Sequence, residues 1–181
     1  MEKMGNIYLI GLMGVGKTTI GKQLAKALQR PFYDSDKIIE EVTGVDIPTI
    51  FSYEGEEGFR MREQCVIKDL TSLHGIVLAT GGGSVLKEEN REALKNTGFV
   101  VYLYCSIDKI LHRTRHDTQR PLLQTANPRQ RLQSILLQRE PLYSECSNFK
   151  IDTGSLPGKT VVKTILQEYR TTLEKNERIA S

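Results

Sequence analysis

A short β-favouring run, Asn6–Ile10, passes directly into Gly11-Leu12-Met13-Gly14-Val15-Gly16-Lys17-Thr18 and then into a helical pattern. This order limits the possible folds more than any other feature of the chain. The segment matches G-x-x-x-x-G-K-[ST] in full. Its glycines let successive backbone N–H groups curl around phosphate oxygens, and the helix that starts at Lys17 aims its positive end at the same anion. Lys17 is spaced to reach the β- and γ-phosphates, and the Thr18 hydroxyl to ligate Mg²⁺. At average glycine usage a random chain of this length shows the pattern with under about one chance in a hundred. The strand before it and the helix after it lower that chance further. Gly14, Val15, Gly16, Lys17, Thr18 and Thr19 are therefore expected to bind the phosphates of a nucleotide.

A strand–loop–helix unit of this kind belongs to a parallel sheet, and the rest of the chain continues the alternation. Ile20, Leu24, Ala25 and Leu28 recur at helical spacing from Lys17 to Gln29, where Pro31 intervenes. Phe32–Tyr33 predicts a brief strand, and a short helix follows from Asp36 to a glycine cap near Gly44. A longer helix is expected from about Glu56 to Leu73. Ile76–Thr80 reads as a buried parallel strand entering Gly81-Gly82-Gly83. Glu88–Lys95 reads as a helix, Phe99–Cys105 as a strand, and Ile107 to about Arg115 as a helix. Asp117–Ala126 has no period and is read as a mobile loop. Asn127-Pro128 supplies an N-cap and a first-turn proline for the next helix. Phe149–Asp152 completes about five parallel strands. A last helix carries Val161, Val162, Ile165, Leu166 and Tyr169, and fraying is expected near Lys175–Ser181. No repeat or linker divides the chain, so residues 1–181 are read as a single α/β domain.

Composition narrows the class without choosing within it. Apolar residues make up 39% and charged residues 26%, an ordinary globular balance. The net charge of +3 is too mild to call for nucleic acid, and no apolar run is long enough to span a membrane. No signal peptide is expected. Cys65, Cys105 and Cys146 form an odd set without short spacing, read as reduced and mostly structural thiols of a cytosolic protein. His112 and His116 have i, i+4 spacing but lack a third ligand, so zinc is not expected.

The phosphate loop alone does not separate a kinase from a GTPase or a motor. An N-K-x-D run for guanine is missing, and little chain is left over for a motor. The acidic pair Asp34-Ser35-Asp36, Phe59-Arg60-x-x-Glu63, Thr80-Gly81-Gly82-Gly83, Arg120-Pro121-Leu122 and Arg139 stand in order along the chain. Together with the phosphate loop, they resemble shikimate kinase over nearly the whole chain. The resemblance implies a P-loop NTPase fold like that of nucleoside-monophosphate kinases, with a closing lid at about 115–127 and a substrate region at about 34–63. It implies transfer of ATP's γ-phosphate to the 3-hydroxyl of shikimate, on the way to chorismate and the aromatic amino acids. It also implies Mg²⁺, a cytoplasmic location and a monomer, with no nucleic acid or membrane partner.

By the same resemblance, Lys17, Asp36 and Arg120 are catalytic. Asp36 orients the reacting hydroxyl and takes its proton, although an N-cap would use the same oxygens. Asp34 reaches the metal through water, its alternative being a turn aspartate. Arg60, Arg139 and the backbone of Gly81, Gly82 and Gly83 grip the acceptor, because a guanidinium fork matches a carboxylate. Glu63 is spaced to hold Arg60. Arg120 is the lid arginine over ATP, while Arg113 and Pro157 line the adenine pocket. A gluconate-type kinase shares the phosphate loop but is not expected to combine the triple glycine with Arg-Pro-Leu. A catalytically dead nucleotide-binding module would require loss of Lys17, Asp36 or Arg120, and all three are present.

Overall fold

The apolar run Asn6–Ile10 forms strand β1, and all five of its residues are buried because another strand lies on each side. The computed structural model describes residues 5–117 and 123–180. The elements in chain order are β1, α1 (Lys17–Leu28), β2 (Phe32–Asp34), α2 (Ser35–Thr43), α3 (Ile47–Thr71), β3 (Val77–Ala79), a 3₁₀ turn at Ser84–Leu86, α4 (Glu88–Thr97), β4 (Gly98–Tyr104), α5 (Ile107–Thr114), α6 (Pro128–Cys146), β5 (Phe149–Asp152) and α7 (Gly158–Ala180). The five strands pair in the order β2-β3-β1-β4-β5, and every pairing is parallel. The chain leaving β1 returns on the β2 side, whereas the chain leaving β4 returns on the β5 side. The carboxyl ends of β1 and β4 thus flank the point where the winding reverses, where open α/β sheets bind ligands. The phosphate loop follows β1 at that point.

Tyr8, Leu9, Leu78, Val100 and Leu103 fill the sheet centre, with Leu24, Ile67, Leu94 and Ile165 of the covering helices against it. All three cysteines are free thiols; Cys105 and Cys146 are buried and Cys65 is exposed. Among the described residues no helix is long and apolar enough to cross a membrane.

Three expectations change. The helix expected from about Glu56 is present, but a further helical segment from Ile47 precedes it, and Gly55 joins the two with φ 70° and ψ −175°. That conformation is essentially closed to residues with a Cβ, so Gly55 lets two helical segments join at an angle. Asp46 caps the first segment by accepting from Thr49 N at 2.9 Å, and Pro48 sits in its first turn. Across the joint Glu54 receives both Arg62 Nε and Nη2, at 2.7 and 2.6 Å. The second correction is that α2 starts at Ser35, so its cap is Asp34 and not Asp36. The third lies at the carboxyl end, where α7 stays helical to Ala180 because Leu173, Glu174, Lys175 and Arg178 are all good helix formers. The Asn127 cap is as expected, its Oδ1 accepting from Gln130 N at 3.1 Å. The five central residues of the expected lid loop, 118–122, lie outside the described residues and include Arg120-Pro121-Leu122.

Candidate active site

The helix that follows the phosphate loop is left open at its start. Gly16 is the N-cap of α1 and no side chain caps the first turn, so its N–H groups face the cleft for an anion. Lys17 Nζ curls back over the loop, donating to the carbonyls of Gly11 at 2.7 Å and Leu12 at 2.8 Å. Arg113 of α5 braces the loop from the other side. Its Nη1 donates to Gly14 O at 3.1 Å and its Nη2 to Thr153 O at 2.9 Å. Thr153 in turn donates its hydroxyl to Val15 O at 2.5 Å.

At the end of β2, Asp34 serves two neighbours. One carboxylate oxygen accepts from the Thr18 hydroxyl at 2.7 Å, and the other accepts from the amides of Asp36 and Lys37 at 3.1 and 3.4 Å. Two hard oxygen donors at the mouth of the loop suit a magnesium ion that keeps water and phosphate among its ligands. The described residues contain no cluster of three or more His, Cys, Asp or Glu side chains able to hold a metal by themselves.

Opposite the loop, α3 and α6 bring charge to the triple glycine. Arg60 donates to Glu63 Oε2 at 2.7 Å and lies 3.3 Å from Glu56 Oε1. Arg60 is 7% exposed and Glu63 fully buried, so the pair is held in a low-dielectric setting. Burial pushes the Glu63 carboxyl up, and the Arg60 guanidinium only partly pulls it back. Burial also disfavours the Arg60 charge, but Glu63 and Glu56 outweigh it and leave its pKa raised. The Arg60 guanidinium sits directly on Gly83, where an added Cβ would meet its atoms at 2.3–2.5 Å, so only glycine allows the approach. A Cβ at Gly81 would likewise stand 2.6 Å from Glu63 Oε1 and 2.7 Å from Asp36 Oδ1, so two acids converge there. Arg139 of α6 is 3% exposed and has no ion-pair partner among the described residues. A buried cation in that state is ready for an anionic ligand.

These groups line one cleft of about 1060 Å³, large enough for a nucleotide and a small acceptor side by side. Gly14, Val15, Gly16, Lys17, Thr18 and Thr19 form one wall. Asp34, Asp36, Arg60, Gly81, Gly82, Gly83, Arg113 and Arg139 also line it. Two expected roles narrow. The Gly81 amide already donates to Ser35 Oγ at 2.9 Å, leaving the Gly82 and Gly83 amides as the backbone donors of that turn without partners among the described residues. Pro157 is exposed and does not line the cleft, though Leu156 and Gly158 do; its carbonyl accepts from the Thr160 and Val161 amides as α7 begins. Arg120 lies outside the described residues. Phe51 and Thr153 also line the cleft but were not singled out from the sequence. Phe51 stands on the helical segment hidden before Gly55, where Asp46-x-Pro48 was the available signal. Thr153 gave no signal beyond its place after a strand.

A shikimate kinase family model matches residues 13–170. A shikimate kinase of Methylococcus capsulatus is 56% identical over 169 residues, covering 93% of this chain and 94% of that protein. The structure of a shikimate kinase from Acinetobacter baumannii in complex with shikimate superposes with a TM-score of 0.92 at 48% identity, covering 94% and 96% of the two chains. A gluconokinase from Sinorhizobium meliloti shares the fold alone, with a TM-score of 0.62 at 17% identity over the full length of both chains. The motifs, the five-stranded parallel sheet and the matches over nearly the whole length agree, and the chain belongs to the shikimate kinase family.

Proposed function

We infer that this protein transfers the γ-phosphate of ATP to the 3-hydroxyl of shikimate, giving shikimate 3-phosphate for chorismate and aromatic amino-acid synthesis. One observation carries the reading: a phosphate loop faces Arg139, a buried arginine without an ion-pair partner among the described residues, across a cleft that also holds the Arg60–Glu63 pair and Asp36. The acceptor must then be a small hydroxy acid, with its carboxylate on the arginines and a hydroxyl toward Asp36.

The loop amides and Lys17 hold the β- and γ-phosphates in line with that hydroxyl. As the acceptor oxygen bonds to phosphorus, the bond from phosphorus to the bridging β–γ oxygen breaks and ADP leaves. Asp36 orients the hydroxyl and accepts its proton. Arg60, Arg139 and the Gly82 and Gly83 amides fix the acceptor, so reacting atoms meet at near-attack distance. Arg120, carried on the 115–127 lid, meets the charge on the phosphoryl in flight. Arg113 reaches the adenine while bracing the loop. Mg²⁺ would be held by Thr18 directly and by Asp34 through water, and when bound it neutralises charge on the phosphates. Residues 1–181 act as one domain, a cytoplasmic monomer with no nucleic acid or membrane partner.

A coupled ADP-release assay with shikimate, gluconate and no acceptor tests the assignment. Turnover is expected with shikimate alone, at a rate far above the acceptor-free background. Equal or faster turnover with gluconate would transfer the assignment to a sugar-acid kinase.

A further inference from the structure

Tyr143 stands one helical turn beyond Arg139 on α6, on the same face, and no step of phosphoryl transfer described above uses it. Its side chain is fully buried. The ring stacks on Tyr102, with centroids 4.9 Å apart and planes inclined by 24°. The hydroxyl donates to the carbonyl oxygen of Gly82. Behind it, Tyr102 donates to Glu140, which also accepts from Lys150 Nζ at 2.7 Å. The phenol is thus held rigidly from the side away from the cleft.

What it holds is a peptide with glycine on both sides. The Gly82 carbonyl and the Gly83 amide N–H belong to one planar peptide, so turning one turns the other. Glycine on both sides means that no Cβ restricts how this plane rotates. The bonds that close the turn are Ser84 N to Gly81 O at 3.1 Å and Ser84 Oγ to the same oxygen at 2.8 Å. Neither touches the Gly82–Gly83 peptide. Burial pushes the Tyr143 hydroxyl up to about 12, opposed by the charge of Arg139 and by a hydrogen bond with its side chain, so it remains a donor at all working pH values. Arg139 approaches the same glycine: a Cβ at Gly82 would lie 3.7 Å from its Nη1. One face of α6 therefore presents Arg139 and, a turn later, the group that orients the neighbouring amide.

We propose that Tyr143 is a positioning residue for the acceptor, fixing the direction of the Gly83 N–H through its bond to the Gly82 carbonyl. This rests on the shikimate assignment and adds a determinant of acceptor affinity that never touches the acceptor. The test is titration calorimetry with shikimate and separately with ADP, on wild type, Tyr143→Phe and Tyr102→Phe, with the Tm of each. Tyr143→Phe keeps the stacked ring and removes only the hydroxyl. It should weaken shikimate binding by at least about 2- to 12-fold, the loss of the buried bond to Gly82 with any further loss from its contact with Arg139, and leave ADP binding unchanged. Tyr102→Phe breaks the outer bond to Glu140 and should leave shikimate affinity intact even if its Tm falls. Unchanged shikimate affinity in Tyr143→Phe would overturn the positioning role, as would equal losses in both variants that follow Tm. Wild-type protein that fails to bind shikimate would overturn the acceptor assignment together with this role; shikimate-binding wild type with an unaltered Tyr143→Phe overturns the role alone.

Discussion

Arg60 and Arg139 face the same triple glycine from different electrostatic situations, and this separates their mutants. Arg60 neutralises Glu63, which is fully buried. Removing one partner of a buried pair costs about 3–5 kcal/mol, because the other charge is left stranded. Arg60→Ala should therefore lose stability as well as acceptor affinity. The loss should depend on pH with a definite sign. Burial already raises the folded-state Glu63 pKa, and without Arg60 it rises further, so the folded form binds a proton that the unfolded form releases. The stability deficit should be small below the raised folded-state pKa of Glu63 in the wild type, where both proteins keep the proton, and grow as pH rises above it. Among the described residues Arg139 forms no ion pair, although its charge helps to hold the buried Glu63 carboxylate, so Arg139→Ala should cost less stability than Arg60→Ala. It should still weaken shikimate binding about 10- to 150-fold, the equivalent of one or two charge-assisted hydrogen bonds. Urea titrations at several pH values and calorimetry separate the two effects; equal destabilisation by both variants would contradict the distinction. Asp34 shows where residue-level reading stops. Two acids two positions apart can each cap a helix, and the choice depends on β2 ending at Asp34, a boundary that a three-residue strand does not announce.

The elements that form the phosphate site were legible because each carries its own signal. β1 is a continuous apolar run, α1 has a clean helical period, and α6 opens on Asn127-Pro128. The segment Ile47–Glu54 was not legible, although Asp46-x-Pro48 carries a related start signature. It is too short to establish a period before Gly55 interrupts it. That segment matters to the cleft, since Phe51 lines it and packs on Phe59 with ring centroids 4.8 Å apart. Phe59 immediately precedes Arg60. Gly55→Ala should cost about 1–3 kcal/mol in urea unfolding, because an alanine there is forced into a conformation reserved for glycine. By shifting Phe51 it should also raise the KM for shikimate more than that for ATP. A Gly55→Ala protein of wild-type stability and kinetics would show that the joint is not a constraint.

At the scale of the molecule, the strand order β2-β3-β1-β4-β5 could not be read from the chain, since pairing joins segments as distant as Ile7 and Val77. Only the fold class followed from the alternation of elements. The order nonetheless explains why residues as distant as Gly14 and Arg139 meet in one cleft: the carboxyl ends of β1, β2 and β3 stand side by side, and α6 crosses behind the glycine turn to deliver Arg139. On the proposed assignment nucleotide and acceptor bind opposite walls of one cavity, so the γ-phosphate can go only to the group the arginine wall presents. Product analysis tests this most directly. Protein incubated with ATP, Mg²⁺ and shikimate should yield one ADP for each phosphorylated acceptor, and phosphorus–proton coupling in the product's NMR spectrum should place the phosphate on the 3-hydroxyl. ADP formed without a phosphorylated acceptor, or phosphate carried on another hydroxyl, would contradict it.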